Sequence, residues 1–378
     1  MAIGETERLI CSVIRRETTP WNGSGDATAI DAFLEAGRYQ GVLPLLDTEF
    51  SSGKDFATWP DEILTASHQA ALAQTGYELA HGGEIERVLA ALSRAAITPL
   101  LLKGTGLAYA LYASPVLRPR SDSDLLVAPE MRENAWRALQ KLGYRRVGGP
   151  AGKFVGYQMQ LQCRDARNLV HNIDLHWRIS DAQSFAWLFS FADLAAAAVP
   201  VPALDPGASR LGNVHALLLC LLHRAGNNLF QAPGFGDRLI WLYDIHLLVE
   251  AMTERQLDDF RATVETKRVG AITLQGLRQC AGRFPSPRLA DLIDVLLGSA
   301  QAQSGAEFLG AVRLRREWME LRAIPRAASR FNYLAERAFP SREYVRERYP
   351  ESSASPLPLL HARRWLEGLG KMVRARRR

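Results

Sequence analysis

The chain has 378 residues, 47% of them apolar, which exceeds the usual single-core size and predicts two domains, or one domain with a large helical extension. Its formal charge of +6 is localised: residues 361–378 carry seven Lys or Arg against Glu367 alone, 7 − 1 = +6, so the other 360 residues sum to zero and lack the basic surplus of a nucleic-acid-binding domain. Cys11, Cys163, Cys220 and Cys280 stand far apart with no Cys-x-x-Cys pair, which argues against a structural zinc site and a disulfide framework.

No apolar stretch is long enough to span a bilayer, and the start carries Glu5, Glu7 and Arg8 ahead of its short apolar segment, unlike a secretory signal. The expectation is a soluble protein of a reducing cytoplasm. From Ile30 to about Ala96 the pattern is helical, with one helix predicted over Pro60–Ala80 and another over Glu84–Ala95. Ile97–Leu102 then switches to a continuous apolar run that reads as a buried strand, ended by Lys103-Gly104-Thr105-Gly106. A helix over Leu107–Ala113 follows, Pro115 and Pro119 break it, and Asp124–Val127 reads as a second strand. Glu130–Leu142 is an amphipathic helix closed by Gly143, and Tyr144–Val147 a short third strand.

A glycine-rich loop comes next, at Gly148, Gly149 and Gly152. Tyr157–Cys163 and Val170–Ile179 alternate with a two-residue period around a turn, which predicts a hairpin with Ile173, Leu175 and Trp177 on one face and Asn172, Asp174, His176 and Arg178 on the other. After Ser180 the strand pattern ends. Residues 199–207 read as a linker to helices over Val214–His223, Leu239–Met252 and Glu254–Lys267. Ser352–Pro358 reads as a flexible linker. The Arg-rich end beyond it reads as solvated and partly disordered, with a basic amphipathic helix as the other reading and an anionic partner as its target.

The chemistry concentrates in Asp122-Ser123-Asp124. Side chains two apart on a strand project from one face about 6.6 Å apart, so both carboxylates can reach one divalent ion. Two carboxylates about 4 Å apart repel by roughly 4 kcal/mol at an effective dielectric near 20, and a fold that keeps them together supplies a cation. Magnesium brought by a nucleotide suits such a pair. Asp174 is a third acid, on the same hairpin face as His176, which is read as orienting a metal-bound aspartate or contacting the acceptor, or else as a hydrogen-bonded strand histidine. Lys103, Arg118 and Arg120 are candidate phosphate contacts. Asp237, Arg238 and Asp244 read as a charged cluster, with structural pairing preferred for Asp244. Trp177, Trp187 and Trp241 read as core anchors, one of which could stack a base; His215 and His223 read as core or interface residues rather than zinc ligands.

Leu102-Lys103-Gly104 ahead of a helix with Tyr112, then Arg118, Asp122-Ser123-Asp124-Leu125-Leu126-Val127, Leu142-Gly143-Tyr144, Ile173-Asp174-Leu175-His176-Trp177 and Trp241-Leu242-Tyr243-Asp244-Ile245 together resemble the uncharacterised bacterial nucleotidyltransferases of the DNA polymerase β-like superfamily. The resemblance implies a small mixed β-sheet α/β core with N-terminal helices and a C-terminal all-helical domain. It implies that Gly104 and Thr105 approach the β and γ phosphates, and that Asp122, Asp124 and Asp174 are the catalytic metal ligands for Mg²⁺ or Mn²⁺. Thr105 stands where serine is usual, Ser123 where an apolar residue is usual, and sixteen residues separate Thr105 from Asp122.

The domains expected are an N-terminal helical region over 1–83, the core over 84–198, a helical domain over 208–350, and a linker with basic tail over 351–378. The activity expected is transfer of a nucleoside monophosphate from a nucleoside triphosphate, ATP first among them, to a small molecule, a peptide or protein, or an RNA end. A metal-dependent glycosyltransferase using Asp-x-Asp, and a degenerate fold that binds a peptide or protein, are the competing readings.

Overall fold

The computed structural model describes residues 4–17, 20–21, 27–53, 56, 58–147, 155–230, 237–300, 313–352 and 354–375. The expected glycine-rich loop at Gly148, Gly149 and Gly152 lies outside them.

Alternating burial organises the core. Leu100, Leu102 and Leu126 belong to one apolar cluster, whereas their neighbours Leu101, Leu125 and Val127 belong to a second, so the sheet separates two packed layers. Among the described residues seven short strands form this sheet in the order β3-β4-β5-β2-β1-β7-β6. They are β1 (Leu100–Leu101), β2 (Ser123–Leu126), β3 (Arg145–Arg146), β4 (Gln158–Arg164), β5 (Val170–His176), β6 (Val199–Pro200) and β7 (Ser209–Arg210). The pairing is mixed: β2 runs parallel to β5 and antiparallel to β1, and β4 and β5 form the expected antiparallel hairpin. This is the α/β architecture anticipated from sequence.

Helices α1 (Glu5–Ile14), α2 (Ala27–Gln40), α3 (Leu43–Ser52) and α4 (Asp61–Arg94) precede the sheet, and α5 (Lys103–Leu111) and α6 (Arg132–Lys141) are interleaved with it. Two short helices, α7 (Gln183–Ala186) and α8 (Phe191–Ala196), lead into α9 (Asn213–Phe230), α10 (Leu239–Ala251), α11 (Glu254–Lys267), α12 (Gly270–Ala281) and α13 (Pro287–Ala300). The N-terminal helices share an apolar cluster with this helical half: Phe33 and Leu46 lie in it with Leu217, Leu242 and Phe260. Arg15 and Arg283 tie the two ends of that cluster together, Arg15 donating to the Arg283 carbonyl at 2.6 Å and Arg283 pairing with Glu7 at 2.9 Å.

Four local expectations change. The two helices predicted over Pro60–Ala80 and Glu84–Ala95 are one 34-residue helix, α4, because the residues around its glycines are pinned from the sheet side. Tyr109 and Arg120 bond to Glu78, Ser123 to His81, and Tyr144 to Glu84. Gly82 permits this approach, since a Cβ there would lie 2.8 Å from the Tyr109 hydroxyl. The Lys103–Gly106 segment is the first turn of α5 rather than a loop ahead of it. Gly106 lets that turn sit on the sheet, where a Cβ would meet the Leu101 carbonyl at 3.1 Å.

Strand structure continues past Ser180. Residues 199–210 carry β6 and β7, which pair with each other and join β1, and patterning missed them because each spans only two residues. Beyond α14 (Arg313–Ala323), α15 (Ala327–Ala338) and α16 (Arg342–Arg348), the basic end forms α17 (Leu357–Ala375) rather than a solvated coil. Trp365 donates its indole N–H to the Ala338 carbonyl at 2.8 Å, and the Tyr349 hydroxyl bonds Glu367 at 2.9 Å. Such anchors offset the roughly 1 kcal/mol that each of Gly368 and Gly370 costs a helix.

Candidate active site

Parallel pairing of β2 with β5 sets Asp124 directly beside Asp174. Side chains alternate across a sheet, so both acids share the face that looks toward the helical half, while Ile173, Leu175 and Trp177 pack into the layer beneath α4 and α6. Asp124, Asp174 and His176 bring ligand-capable atoms within 4.8 Å of one another. Asp122, just ahead of β2, is half-buried at the same edge and lies outside that cluster.

Asp124 is the electrostatic centre. Its Oδ1 accepts from the Lys103 ammonium at 2.7 Å and from His176 Nε2 at 2.8 Å. Burial opposes its ionisation, yet Lys103 and the His176 hydrogen bond outweigh burial and hold the carboxyl well below the usual range. Asp174 feels the same two groups only at a distance, without their hydrogen bonds. Burial, reinforced by the Asp124 and Asp122 charges against the partial relief of His176, pushes its pKa up to about 6. Burial and the Asp124 charge also raise Asp122. Lys103 itself has φ +44, a left-handed conformation that a non-glycine residue adopts at a cost of order 1–3 kcal/mol, and one that surrounding contacts must impose.

The other expected binding residues are placed differently. Arg118 is buried and closed on Asp244, with Nη2 to Oδ2 at 2.7 Å and Nε to Oδ1 at 2.9 Å, and the Tyr112 hydroxyl donates to the same acid at 2.7 Å. Arg120 is closed on Glu78 by two bonds at 2.7 and 2.8 Å. Its Nε also donates to Thr105, whose buried hydroxyl shares a 2.7 Å hydrogen bond with Ser123. Ser123 meets His81 Nε2 at 2.8 Å, and His81 Nδ1 meets His171 Nδ1 at 3.1 Å. Thr105 thus points into a polar seam between α4 and the sheet. Ser123, unusual in a position where an apolar residue was expected, is part of that seam.

A cavity of about 200 Å³ lies over Asp122 and Asp124, lined also by Lys103, Gly104, Arg118 and Arg120 from the core and by Cys220, His223, Arg238, Trp241 and Asp244 from α9 and α10. The sequence reads Arg238 as part of a charged cluster where the helical domain meets the sheet, and His223 as a core or interface residue. Nothing in a linear pattern shows that the start of α10 closes over β2. Burial and the nearby Lys103 charge push His223 down to about 3, so the imidazole is neutral, and Asn227 donates to its Nε2 at 2.9 Å.

Residues 26–285 match the profile of a family described as uncharacterised nucleotidyltransferases. The chain belongs to that family. The match spans the N-terminal helices from α2, the whole sheet and α9 to α12, so it covers both walls of the cavity. No curated protein matches the chain. For this nucleotidyltransferase the donor set fits a hard divalent cation: two carboxylates on neighbouring strands supply oxygen, and Asp124 already neutralises a cationic group at 2.7 Å. Among the described residues no helix is long and apolar enough to cross a membrane.

Proposed function

We propose that this protein is a divalent-cation-dependent nucleotidyltransferase that moves a nucleoside monophosphate from a triphosphate, with ATP the first candidate, to an acceptor nucleophile and releases pyrophosphate. One observation carries the reading: Asp124 and Asp174, fifty residues apart in sequence, occupy paired positions of adjacent parallel strands with ligand atoms within 4.8 Å of each other, and Asp124 lines a cavity together with Asp122 and Lys103.

Asp124 and Asp174, with Asp122 at the mouth, would hold Mg²⁺ or Mn²⁺, which when bound neutralises phosphate charge and polarises the α-phosphorus. His176 keeps Asp124 oriented through its 2.8 Å hydrogen bond. Lys103 and the backbone of Gly104 at the start of α5 meet the phosphates. The acceptor oxygen forms a bond to the α-phosphorus as the bond to the bridging oxygen breaks. Pyrophosphate departs with that electron pair. Asp174, the acid beside Asp124 that lies free of the Lys103 contact, is the group placed to take the acceptor proton. Arg118, Arg120 and Thr105 support the site through Asp244, Glu78 and Ser123 rather than through substrate. The acceptor is a hydroxyl, phosphate or similar group on a small molecule, a protein or an RNA end.

The test is transfer of label from α-³²P triphosphates to acceptors in a lysate fraction. Wild-type protein with magnesium gives a labelled product, and the Asp122→Asn/Asp124→Asn double variant, folded by circular dichroism, gives none. Full activity in that variant contradicts the assignment. Label entering from the sugar of a nucleotide-sugar would indicate the glycosyltransferase reading instead. Metal-independent binding of a protein partner without triphosphate affinity would indicate a degenerate fold.

A further inference from the structure

Three arginines line the cavity, and they are not equivalent. Arg118 and Arg120 are each closed on a buried acid, Asp244 and Glu78. Arg238 has no carboxylate within 4.0 Å among the described residues; its Nε donates to the Tyr39 carbonyl at 2.9 Å and its guanidinium lies 5.7 Å from the centre of the Trp241 ring. The remaining N–H groups of its planar fork are the donors that match phosphate oxygens.

The position is also built. Arg238 sits at the start of α10, and its Nη2 comes so close to Gly41 that a Cβ there would be 2.8 Å away; Gly41 has φ +71. The Tyr39 carbonyl therefore fixes the guanidinium, with the Trp241 ring beside it and the bare backbone of Gly41 leaving it room. Burial first, then the neighbouring Arg118 charge, disfavours its protonated form against the smaller help of Tyr39 and Asp122, and the charge of an anion in the cavity would offset that cost. Lys103 lies across the same cavity, already shared with Asp124.

We infer that Arg238 is the phosphate-chain receptor of this site, gripping the polyphosphate from the α10 wall while the acids hold the cation, with the Trp241 ring as the flat surface beside it. The inference rests on the nucleotide reading above and adds the group that selects for polyphosphate. It also links binding to the N-terminal helices, because the Tyr39 carbonyl that fixes Arg238 belongs to the end of α2.

The experiment is calorimetric titration of the full chain with inorganic tripolyphosphate in the absence of divalent cation, comparing wild type, Arg238→Gln and Asp124→Asn. Arg238→Gln should weaken binding about tenfold or more, whereas Asp124→Asn, which removes a negative charge, should leave it equal or tighter. A folded Arg238→Gln that binds tripolyphosphate as tightly as wild type overturns the inference while leaving magnesium-dependent, Asp124-dependent nucleotide binding intact. Absence of any polyphosphate binding by wild type, with or without magnesium, removes both. A second measurement needs no variant: phenylglyoxal labelling of Arg238 in wild type, followed by peptide mass spectrometry, should slow severalfold with tripolyphosphate, and an unchanged labelling rate overturns the proposal.

Discussion

Arg118 and Asp244, 126 residues apart, meet in a two-pronged ion pair with both side chains at least nine-tenths buried, and this pair fastens the segment carrying Asp122 and Asp124 to α10. It joins the two walls of the cavity. Moving any charge out of water costs several kcal/mol, so burial of the guanidinium is tolerated only because Asp244 answers it.

Removing the acid alone should therefore be severe. Asp244→Ala leaves the Arg118 charge buried without a partner and should lower unfolding free energy by about 3–5 kcal/mol. Arg118→Met with Asp244→Leu should recover much of that loss. Denaturant unfolding of the single and double variants checks it; a single variant as stable as wild type contradicts the account of the seam.

Lys103 pairs with Asp124 at 2.7 Å, and its removal should have effects of opposite sign on metal and on nucleotide. In Lys103→Met, Mn²⁺ alone should bind more tightly, by about tenfold, since Asp124 loses a competing cation at 2.7 Å. Triphosphate affinity in the presence of metal should fall instead. Mn²⁺ titration by electron paramagnetic resonance, beside nucleotide titration, reads the two effects separately. Parallel losses in both would mean that Lys103 is only structural.

The polar seam predicts a pH dependence. His81 is fully buried, and burial, followed by the Arg120 and His171 charges, pushes it down to about 3 from an ordinary value of 6.5. Between those values the unfolded chain binds a proton that the folded chain refuses, so His81 makes stability fall as pH drops below about 6.5, by up to about 1.4 kcal/mol per pH unit. Asp174 acts oppositely: its folded pKa of about 6 exceeds the usual 3.8, so the metal-free folded chain takes up the proton first and gains stability as pH falls through that window. His81→Gln should flatten the acid limb of a stability-against-pH curve, and Asp174→Asn should steepen it. Identical slopes in all three proteins would contradict both assignments.

The hairpin face of Asp174 and His176 was legible in the sequence because a two-residue period leaves the apolar set Ile173, Leu175 and Trp177 no choice of side. Asp124 was legible on other grounds, as the head of the apolar run Leu125–Val127 after the proline breaks. Roles for Arg118, Arg120 and Thr105 were less legible. An arginine beside carboxylates reads as a phosphate ligand until the structure supplies Asp244 from α10 and Glu78 from α4, and residue distance hides both partners. Arg238 and His223 were missed as cavity residues for the same reason. β6 and β7, at two residues each, are too short for any period to register.

The central claim, that Asp124 and Asp174 form a cation site for a nucleotide, is tested most directly by calorimetric titration of the wild-type protein and Asp124→Asn with each nucleoside triphosphate, with and without magnesium. Saturable binding that requires magnesium in the wild type and disappears in Asp124→Asn is the predicted result. Binding indifferent to magnesium and to the substitution, or no binding of any triphosphate by the wild type, would contradict it.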